Sequence, residues 1–457
     1  MTLQVTNSLT RKLEPFVPLR EGKVNMYVCG PTVYGPSHIG HARTYIAFDV
    51  IRRYLGYRGY EVNFICNITD VHDDMIKRAT ERGITIFQLA DENIPVYLSD
   101  MASLNVQQAN GYPRVTEVIP EIIAMVQKLV DKGFAYAVED GSVYFDVAKL
   151  PGYGKLSGVK AEEGVTGTRV ETDKYDKAHA QDFALWKGMK PGEPFWESPW
   201  GQGRPGWHIE CSVMSAKYFG PTFDIHGGAI DLIFPHHENE IAQSEAANDA
   251  PFVRYWLHSG LLKINGEKMS KSSGNFIEIP DLLKKYKPMA VRLFLLQSHY
   301  KSSPDFTEQG LEEAAKRLGR WKRVLANAKD SVTPATQTDE TFRQKFISAM
   351  DDDFNSPMAL AVIEEVLKSS LSPEVKYKMV MEFDGVLGLQ LDAADAAMTD
   401  TAKLAEIEAL VDERNRLRAD KKFAEADAVR ARLKNEFNVV IEDKANGVTW
   451  RLEQGGK

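Results

Sequence analysis

Two histidines stand close together near the start of the chain, in the run His38-Ile39-Gly40-His41, after a Gly/Pro turn and before a helical pattern. The N-terminus of a helix offers unpaired N–H groups and the positive end of its dipole to a phosphate. The imidazoles add donors there, and Gly40 leaves room for a planar base against the backbone. The run is therefore a candidate nucleotide site, although a helix start with incidental histidines would have the same pattern.

Two lysines in a serine-rich stretch form a second candidate site, Lys268-Met269-Ser270-Lys271-Ser272, which is followed by Ser-Gly-Asn. A lysine ammonium is a compact charge that suits a polyphosphate and can stabilise charge developing during phosphoryl chemistry. Alone, such a stretch is typical of a solvated surface loop. Paired with the upstream histidine motif, in this order and in an α/β context, it resembles the signature of class I aminoacyl-tRNA synthetases.

Cysteines and acidic or imidazole groups suggest a third site, which would hold a metal. His236 and Glu240 are four residues apart, so on a helix they share one face. Together with Cys29 and Cys211 they would make a tetrahedral zinc set. No Cys-x-x-Cys pair supports that interpretation, and a lone cysteine is usually a small buried hydrophobe. We expect His237 to be a core or supporting histidine rather than a ligand.

The elements that position these residues follow an α/β pattern. An apolar strand at 24–29, an amphipathic helix at 42–55 and a second strand at 60–68 predict a parallel βαβ unit. Changes of pattern predict an α/β domain in two halves, 1–111 and 201–306, with an insertion at 112–200. A helical bundle follows at 307–401, and a small α+β unit at 402–457 ends in a hairpin.

Composition restricts the function further. The net charge of −8 argues against a protein that coats nucleic acid nonspecifically, but 414–434 carries eight basic and three acidic residues. The 3 cysteines exclude a disulfide framework and suit a reducing compartment. We see no secretory signal and no apolar run near the ~18 residues of a membrane span, so we expect a cytoplasmic protein with no membrane contact.

Longer motifs narrow the class. The runs YVCGPTVY at 27–34, GWHIEC at 206–211, DIHGG at 224–228 and FPHHENE at 234–240 resemble the bacterial cysteinyl-tRNA synthetase family, and the similarity continues to GVTWR at 447–451. The resemblance implies ATP-dependent activation of L-cysteine to cysteinyl-adenylate and its transfer to tRNA(Cys). It also implies a monomer with a class I Rossmann-like domain, a DALR-like bundle and a C-terminal anticodon-binding unit.

The resemblance also implies roles for individual residues. Cys29, Cys211, His236 and Glu240 would bind one zinc ion that selects the substrate thiolate. His38, His41, Lys268 and Lys271 would be catalytic; ATP, accompanied by Mg²⁺, would also contact Pro31, Gly40, Ser270 and Ser272. The positions around the bound cysteine would be Gly30, Thr69, Trp207 and His226.

The basic stretch at 414–434 suggests contacts with RNA phosphates. The candidates are Arg414, Arg416 and Arg418, with Trp450 as a stacking residue. A solvated helix face explains the arginines equally well, and a core role explains the tryptophan.

One departure from the family pattern and three alternatives stay open. His72 and Asp74 stand where the family usually has an acid and a lysine, so their roles are undetermined. A cysteine ligase of thiol biosynthesis, joining cysteine to an amino sugar, would share the zinc and ATP motifs but not the terminal basic unit. A non-catalytic RNA-binding paralogue would not need both motifs, and a small nucleotidylyltransferase would lack the lysine motif and the helical C-terminal half.

Overall fold

The computed structural model describes residues 2–159, 182–269, 275–329, 332–333, 336–393, 410–418, 422–437, 439–444 and 447–452. Contacts divide the chain into two compact units, Met1–Asp392 and Ala393–Lys457. None of the described helices is long and apolar enough to cross a membrane.

The strands are β1 (Gln4–Asn7), β2 (Lys12–Pro15), β3 (Lys23–Val28), β4 (Glu61–Cys66), β5 (Ala135–Ala137), β6 (Val143–Phe145), β7 (Phe183–Gly188), β8 (Gly203–Pro205), β9 (Phe223–Ala229), β10 (Val253–Ser259), β11 (Lys263–Ile264), β12 (Glu267–Lys268), β13 (Asp305–Phe306), β14 (Val439–Lys444) and β15 (Gly447–Leu452). The helices are α1 (Ile39–Tyr57), α2 (Asp73–Arg82), α3 (Ile86–Ser103), α4 (Ile119–Asp131), α5 (Trp207–Phe219), α6 (Glu238–Asn248), α7 (Ile279–Lys285), α8 (Pro288–Leu296), α9 (Glu308–Ala326), α10 (Glu340–Asp351), α11 (Ser356–Lys368), α12 (Pro373–Leu387) and α13 (Phe423–Phe437).

A four-stranded parallel sheet in the order β10-β9-β3-β4 forms the centre of the first unit. The predicted βαβ unit is confirmed: β3 and β4 pair in parallel, with α1 as the crossover between them. Apolar side chains along α1, among them Ile46, Phe48 and Ile51, are buried in the core that covers this sheet. The sheet brings the ends of β3 and β4 to one edge, where the candidate site lies.

Helix α1 begins earlier than the apolar periodicity predicts. His38 is its N-cap, and Nδ1 of His38 accepts a hydrogen bond from the backbone N–H of His41 at 3.2 Å. In return, Nδ1 of His41 accepts from the backbone N–H of His38 at 3.3 Å. This reciprocal arrangement has the form of a capping box made by two histidines, a residue type that the usual cap preferences do not flag.

The predicted insertion contains three strands of an antiparallel sheet, β5-β6-β7, and the fourth strand, β8, comes just after its predicted end at residue 200. The hairpin expected around Asp140-Gly141 is confirmed, with Gly141 at φ +83°, a conformation that favours glycine. Strands β7 and β8 were not predicted. Part of the irregular stretch expected at 152–168 lies outside the described residues.

The helices predicted after residue 307 are confirmed as α9 to α12, most of them with ends shifted by a few residues. The helix expected at 403–421 is described only at 410–418. In the second unit, β14 and β15 pair antiparallel, which confirms the terminal hairpin. The domain limits themselves stay predictions.

Candidate functional site

A cavity of about 420 Å³ opens beside the strands of the parallel sheet, where ligands bind in open α/β folds. Strand β3 ends at Val28 and leads directly into Cys29 and Gly30, and β4 ends at Cys66 before Asn67 and Thr69. The cavity brings together many residues that the sequence singled out: Cys29, Gly30, Pro31, His38, Gly40, His41, Thr69, Trp207, Cys211 and His236.

The four predicted zinc ligands meet beside this cavity, which is lined by Cys29, Cys211 and His236. One ligand atom from each of Cys29, Cys211, His236 and Glu240 lies within 4.8 Å of the others, and all four residues are buried. The two Sγ atoms are 3.7 Å apart, and Nε2 of His236 is 3.0 Å from Oε1 of Glu240. Strand β3, helix α5 and the start of α6 therefore converge on a small group of metal-binding atoms.

The neighbours of Cys211 and His236 favour the charged forms of these two groups despite their burial. Burial alone would raise the pKa of Cys211, but the hydrogen bond with Cys29 and the His236 imidazole lower it to about 6. The pKa of Cys29 is raised, first by burial and then by Cys211. For His236, burial lowers the pKa, but Glu240 and Cys211 raise it to about 10. Both shifts favour a thiolate on Cys211 beside an imidazolium on His236, and the imidazole must give up its proton to bind a metal ion.

The donor set fits zinc. Two thiols, one imidazole and one carboxylate are the groups that Zn²⁺ prefers. Two thiolates bound tetrahedrally at Zn–S ~2.3 Å would place their sulfurs about 3.8 Å apart, and Cys29 and Cys211 are already 3.7 Å apart. A second, overlapping set of donors, Cys29, His226, His237 and Glu240, also lies within 4.8 Å.

His226 and His237 contact the predicted ligands Glu240 and Cys29. Nε2 of His226 lies 2.8 Å from Oε2 of Glu240, and its ring stacks on Trp256 at 4.4 Å. It is fully buried, although the resemblance implied a contact with cysteine. Nε2 of His237 lies 3.3 Å from Sγ of Cys29, which agrees with a supporting role as well as with the second donor set. Hydrogen bonds of this kind orient metal ligands.

Two further histidines, His208 and His258, contact His236 and His237, and the sequence analysis did not single them out. Nδ1 of His208 is 3.0 Å from Nδ1 of His236, and Nε2 of His258 is 2.8 Å from Nδ1 of His237. Burial, followed by the neighbouring imidazoles, holds the pKa of His208 well below its usual range and lowers that of His258 to about 3. Both are therefore neutral at pH 7. In the sequence, His208 could be noticed only as part of the GWHIEC run, and His258 only by its position near the end of β10.

The neighbouring part of the cavity is built by the histidine motif. The rings of His38 and His41 stack at 3.6 Å beside the N-terminus of α1. A Cβ at Gly40 would lie 2.9 Å from Nδ1 of His38 and 3.2 Å from Cε of Met269, so only glycine fits without a shift. The start of a helix, the imidazoles and the bare backbone of Gly40 are the features expected of a phosphate and nucleotide site.

Other predicted substrate contacts take defined positions around the same space. Trp207 covers His236, with the ring centres 4.4 Å apart. The backbone N–H of Gly30 donates to Oδ1 of Asn67 at 2.8 Å, and a Cβ at Gly30 would overlap the Asn67 carbonyl. Thr69 donates to Oε2 of Glu210 at 3.4 Å. Asn67 is a further residue that the sequence did not single out.

His72 and Asp74, the two positions that depart from the family pattern, lie at the start of α2. His72 caps α2 and packs its ring edge-on to Trp207 at 5.6 Å. Asp74 lies in the first turn of the same helix, where a carboxylate suits the helix dipole.

The remaining predictions fall partly outside the described residues. Ser270, Lys271 and Ser272 are not described, and Lys268 lies on β12 opposite Lys263 of β11. In the second unit Arg416 and Arg418 are exposed, but Arg414 is buried at 2% exposure, which does not favour the phosphate contact expected of it. Trp450 lies on β15, opposite Ile441.

Comparison with known proteins agrees with this geometry. The family described as tRNA synthetases class I (C) catalytic domain matches residues 15–316, and the DALR domain matches residues 345–369. A methionyl-tRNA synthetase from Mycobacterium tuberculosis, solved with methionyl-adenylate, is 16% identical with a TM-score of 0.55, over 80% of this chain and 90% of that one. An Agrobacterium radiobacter LeuRS, solved in a ternary complex, gives a TM-score of 0.56 at 13% identity, over 83% and 86%. The fold and the site therefore define a class I aminoacyl-tRNA synthetase.

Relatives that match nearly the whole chain identify the family within this class. The cysteine--tRNA ligase of Symbiobacterium thermophilum is 48% identical over 99% of this chain and 100% of its own length. That of Thermococcus onnurineus is 49% identical over 99% of both chains. The chain belongs to the cysteine--tRNA ligase family.

Proposed function

We propose that this protein activates L-cysteine with ATP and transfers the cysteinyl group to tRNA(Cys), using one bound zinc ion to select the amino acid. The observation that carries the proposal is the convergence of Cys29, Cys211, His236 and Glu240 beside the same cavity that His38 and His41 line. A thiol-selective centre and a phosphate site thus share one space of about 420 Å³.

Selection of cysteine would take place at the four ligands. When bound there, zinc supplies a Lewis acid that prefers a thiolate to a neutral hydroxyl at pH 7, which separates cysteine from serine. Cys29 and Cys211 line the cavity, so the ligand cluster is open to a substrate side chain. His226 holds Glu240 from behind, and Trp207 covers His236, which restricts the space for larger side chains.

The first chemical step would join the cysteine carboxylate to the α-phosphate of ATP and release pyrophosphate. Such a step depends mainly on positioning and on stabilising charge. The imidazoles of His38 and His41, at the positive end of the α1 dipole, would donate to phosphate oxygens, and Pro31 and Gly40 would border the nucleotide. Lys268 and Lys271, with Ser270 and Ser272, would contact the triphosphate, and Mg²⁺ would accompany ATP.

In the second step a terminal ribose hydroxyl of the tRNA would attack the carbonyl of the adenylate, forming the cysteinyl ester and breaking the acyl–phosphate bond to release AMP. Cysteine would be held near Gly30, Thr69 and Trp207, which line the cavity. Arg416 and Arg418 are exposed and would contact tRNA phosphates. Trp450 is a candidate stacking residue. We further propose a monomer that acts in the cytoplasm.

The direct test is ATP–pyrophosphate exchange, run separately with each of the twenty amino acids. We expect exchange with cysteine and none above background with serine. A preference for another amino acid, or no exchange by zinc-containing protein, would contradict the proposal. Charging of tRNA(Cys) then separates this function from the thiol-biosynthesis ligase: a protein that makes cysteinyl-adenylate but transfers it only to an amino sugar would support that alternative.

A further inference from the structure

Arg43 is a buried cation two residues after the histidine motif, and it has unusual partners. Its side chain is on α1, and the residue is 3% exposed. The guanidinium donates to the backbone carbonyls of Leu295 at 2.7 Å, Ser298 at 3.2 Å, His299 at 2.5 Å and Ser302 at 3.2 Å. These carbonyls come from the last turn of α8 and from the turn that follows it.

The charge of Arg43 is balanced by backbone dipoles. Within the part of the chain that the structure describes, no carboxylate forms an ion pair with Arg43, and its Nε has no hydrogen-bond partner. The last carbonyls of a helix lack partners within the helix and carry the negative end of its dipole, so a cation there is favourable. Burial lowers the pKa of Arg43 to about 10, which leaves it charged at pH 7. The contact therefore fixes the 298–302 turn against α1.

That turn supports the strands leading to the lysine motif. The carbonyl of Tyr300 accepts from the N–H of Gly260 at 2.8 Å, and the carbonyl of Pro304 accepts from the N–H of Lys263 at 2.9 Å. Strand β13 then pairs in parallel with β11, and β11 pairs antiparallel with β12, which carries Lys268. Beyond the guanidinium of Arg43 itself, the path from the 298–302 turn to the lysine strand consists of main-chain hydrogen bonds and short covalent segments.

The chain that follows the lysine motif is hydrogen-bonded to the residues at the N-terminus of α1. The N–H of Ile39 donates to the carbonyl of Ile277 at 3.0 Å, and the N–H of Ile279 donates to the carbonyl of Ser37 at 2.8 Å. The ring of Phe276 packs edge-on to His38 at 5.0 Å. Both flanks of the lysine motif are thus attached to the element that carries the histidine motif.

We propose that Arg43 is a positioning residue for adenylate formation: it holds the 298–302 turn and, through that turn, sets the position of the β11–β12 hairpin relative to His38 and His41. This inference rests on the proposed function. Its consequence is that Arg43 acts on the rate of the first step without touching substrate, because the lysines must meet phosphates that the histidines already hold.

The test compares Arg43→Lys with Arg292→Lys in the full-length, zinc-containing protein. Arg292 is a matched control: it lies on α8, is equally buried and also donates to backbone carbonyls, but these belong to Leu104, Asn105 and Leu387, and it pairs with Asp49. Each lysine keeps the charge and loses the planar fork that reaches several carbonyls at once. Both variants are compared at a temperature where circular dichroism shows them folded.

We expect Arg43→Lys to lower kcat for cysteine-dependent pyrophosphate exchange by about ten- to a hundredfold, since small misplacements of reacting groups have effects of that size. The KM for cysteine should change by less than about twofold, because the cysteine site is built elsewhere. Amide hydrogen exchange in 261–269 and 298–306 should become about tenfold faster. Arg292→Lys should leave kcat and both segments near their wild-type values.

Equal losses of kcat in the two variants, or an unchanged kcat with faster amide exchange in Arg43→Lys, would overturn the positioning role. If Arg43→Lys does not fold, Gly260→Ala tests the same turn, because its Cβ would lie 2.2 Å from the Ser302 carbonyl; an unchanged kcat there would also overturn it. A wild-type protein with no cysteine-dependent exchange would instead refute the proposed function, while amide exchange would still report on the attachment of the turn.

Discussion

The neighbours of the Cys211 thiol determine its pKa. Buried alone it would keep its proton, but the hydrogen bond with Cys29 and the His236 imidazole lower its pKa to about 6. Glu240 shows the same effect: burial would raise its pKa, and His226 and His236 lower it to about 2. A cluster with these charges is prepared to bind a divalent cation, and the predictions at the scale of single residues follow from it.

Replacing Cys211 with serine should remove most of the bound zinc, because a neutral hydroxyl is a poor ligand. Elemental analysis should find about one zinc per chain in the wild type and much less in Cys211→Ser. Cysteine-dependent pyrophosphate exchange should fall with it. Cys66→Ser is the control, since Cys66 is buried outside the ligand set and bonds to Tyr97 instead. Folded, active wild-type protein without metal would contradict zinc selection.

Replacing Lys271 with alanine should slow adenylate formation far more than it weakens cysteine binding. Its charge would matter most as pyrophosphate leaves, so the loss should appear in kcat, by roughly a hundredfold, as for other donors to developing charge. Single-turnover kinetics measure the step directly. Lys284→Ala, which removes an exposed lysine paired with Asp281 on α7, is the control. A change confined to the KM for ATP would argue against the transition-state role.

At the scale of elements, α1 combines several tasks within one helix. Its first turn is capped by His38 and His41, which are also the proposed phosphate donors. Its middle contributes Asp49, whose carboxylate accepts from Arg53 at 2.8 Å, Arg292 at 2.5 Å and the N–H of Gln107 at 2.9 Å. The helix thus joins the site to α8 and to the chain after α3, so damage to this junction should act on stability.

Replacing Asp49 with alanine should lower the free energy of unfolding by about 3–5 kcal/mol, because Arg292 would stay buried without its partner. Both side chains are fully buried in this ion pair. Urea denaturation followed by circular dichroism measures the change. The control is Glu61→Ala, which breaks the exposed pair with Lys23 and should cost no more than about 1 kcal/mol. Equal effects in the two variants would show that the buried pair is not a stabilising junction.

At the scale of the whole molecule, the two units have separate cores. The two larger core clusters contain only residues up to Leu391. The second unit has a core of its own, formed by Leu410, Val411, Leu433, Val439 and Ile441. The site residues that the structure describes for adenylate formation all belong to the first unit. The basic stretch at 414–434 belongs to the second. The two half-reactions should therefore be separable.

A chain truncated after Asp392 should keep cysteine-dependent pyrophosphate exchange and lose most tRNA charging. The physical reason is that the phosphate contacts expected of Arg416 and Arg418 are removed, while the catalytic cores are intact. Residual charging should depend less on salt, because fewer phosphates are neutralised. Circular dichroism and normal exchange activity control for folding. Full charging efficiency in the truncated chain would show that the second unit does not bind the tRNA.

The sequence by itself determined the chemistry that the site offers and the class of fold. The histidine motif, the zinc ligands and the βαβ pattern are visible there because each depends on residue type or on spacing within one element. The same holds for the terminal hairpin, whose strands are adjacent along the chain. The structure brings the four predicted ligands together as a group of atoms that could hold a metal.

Only the tertiary structure decided which residues surround those ligands. His226 faces Glu240, His208 faces His236, and Arg43 reaches a turn some 250 residues away, as the separations of its hydrogen-bond partners show. The burial of Arg414 was likewise invisible in a basic stretch. Such contacts depend on the register and packing of elements that are distant in sequence, and those are settled by shape and burial across the whole core rather than by any local pattern.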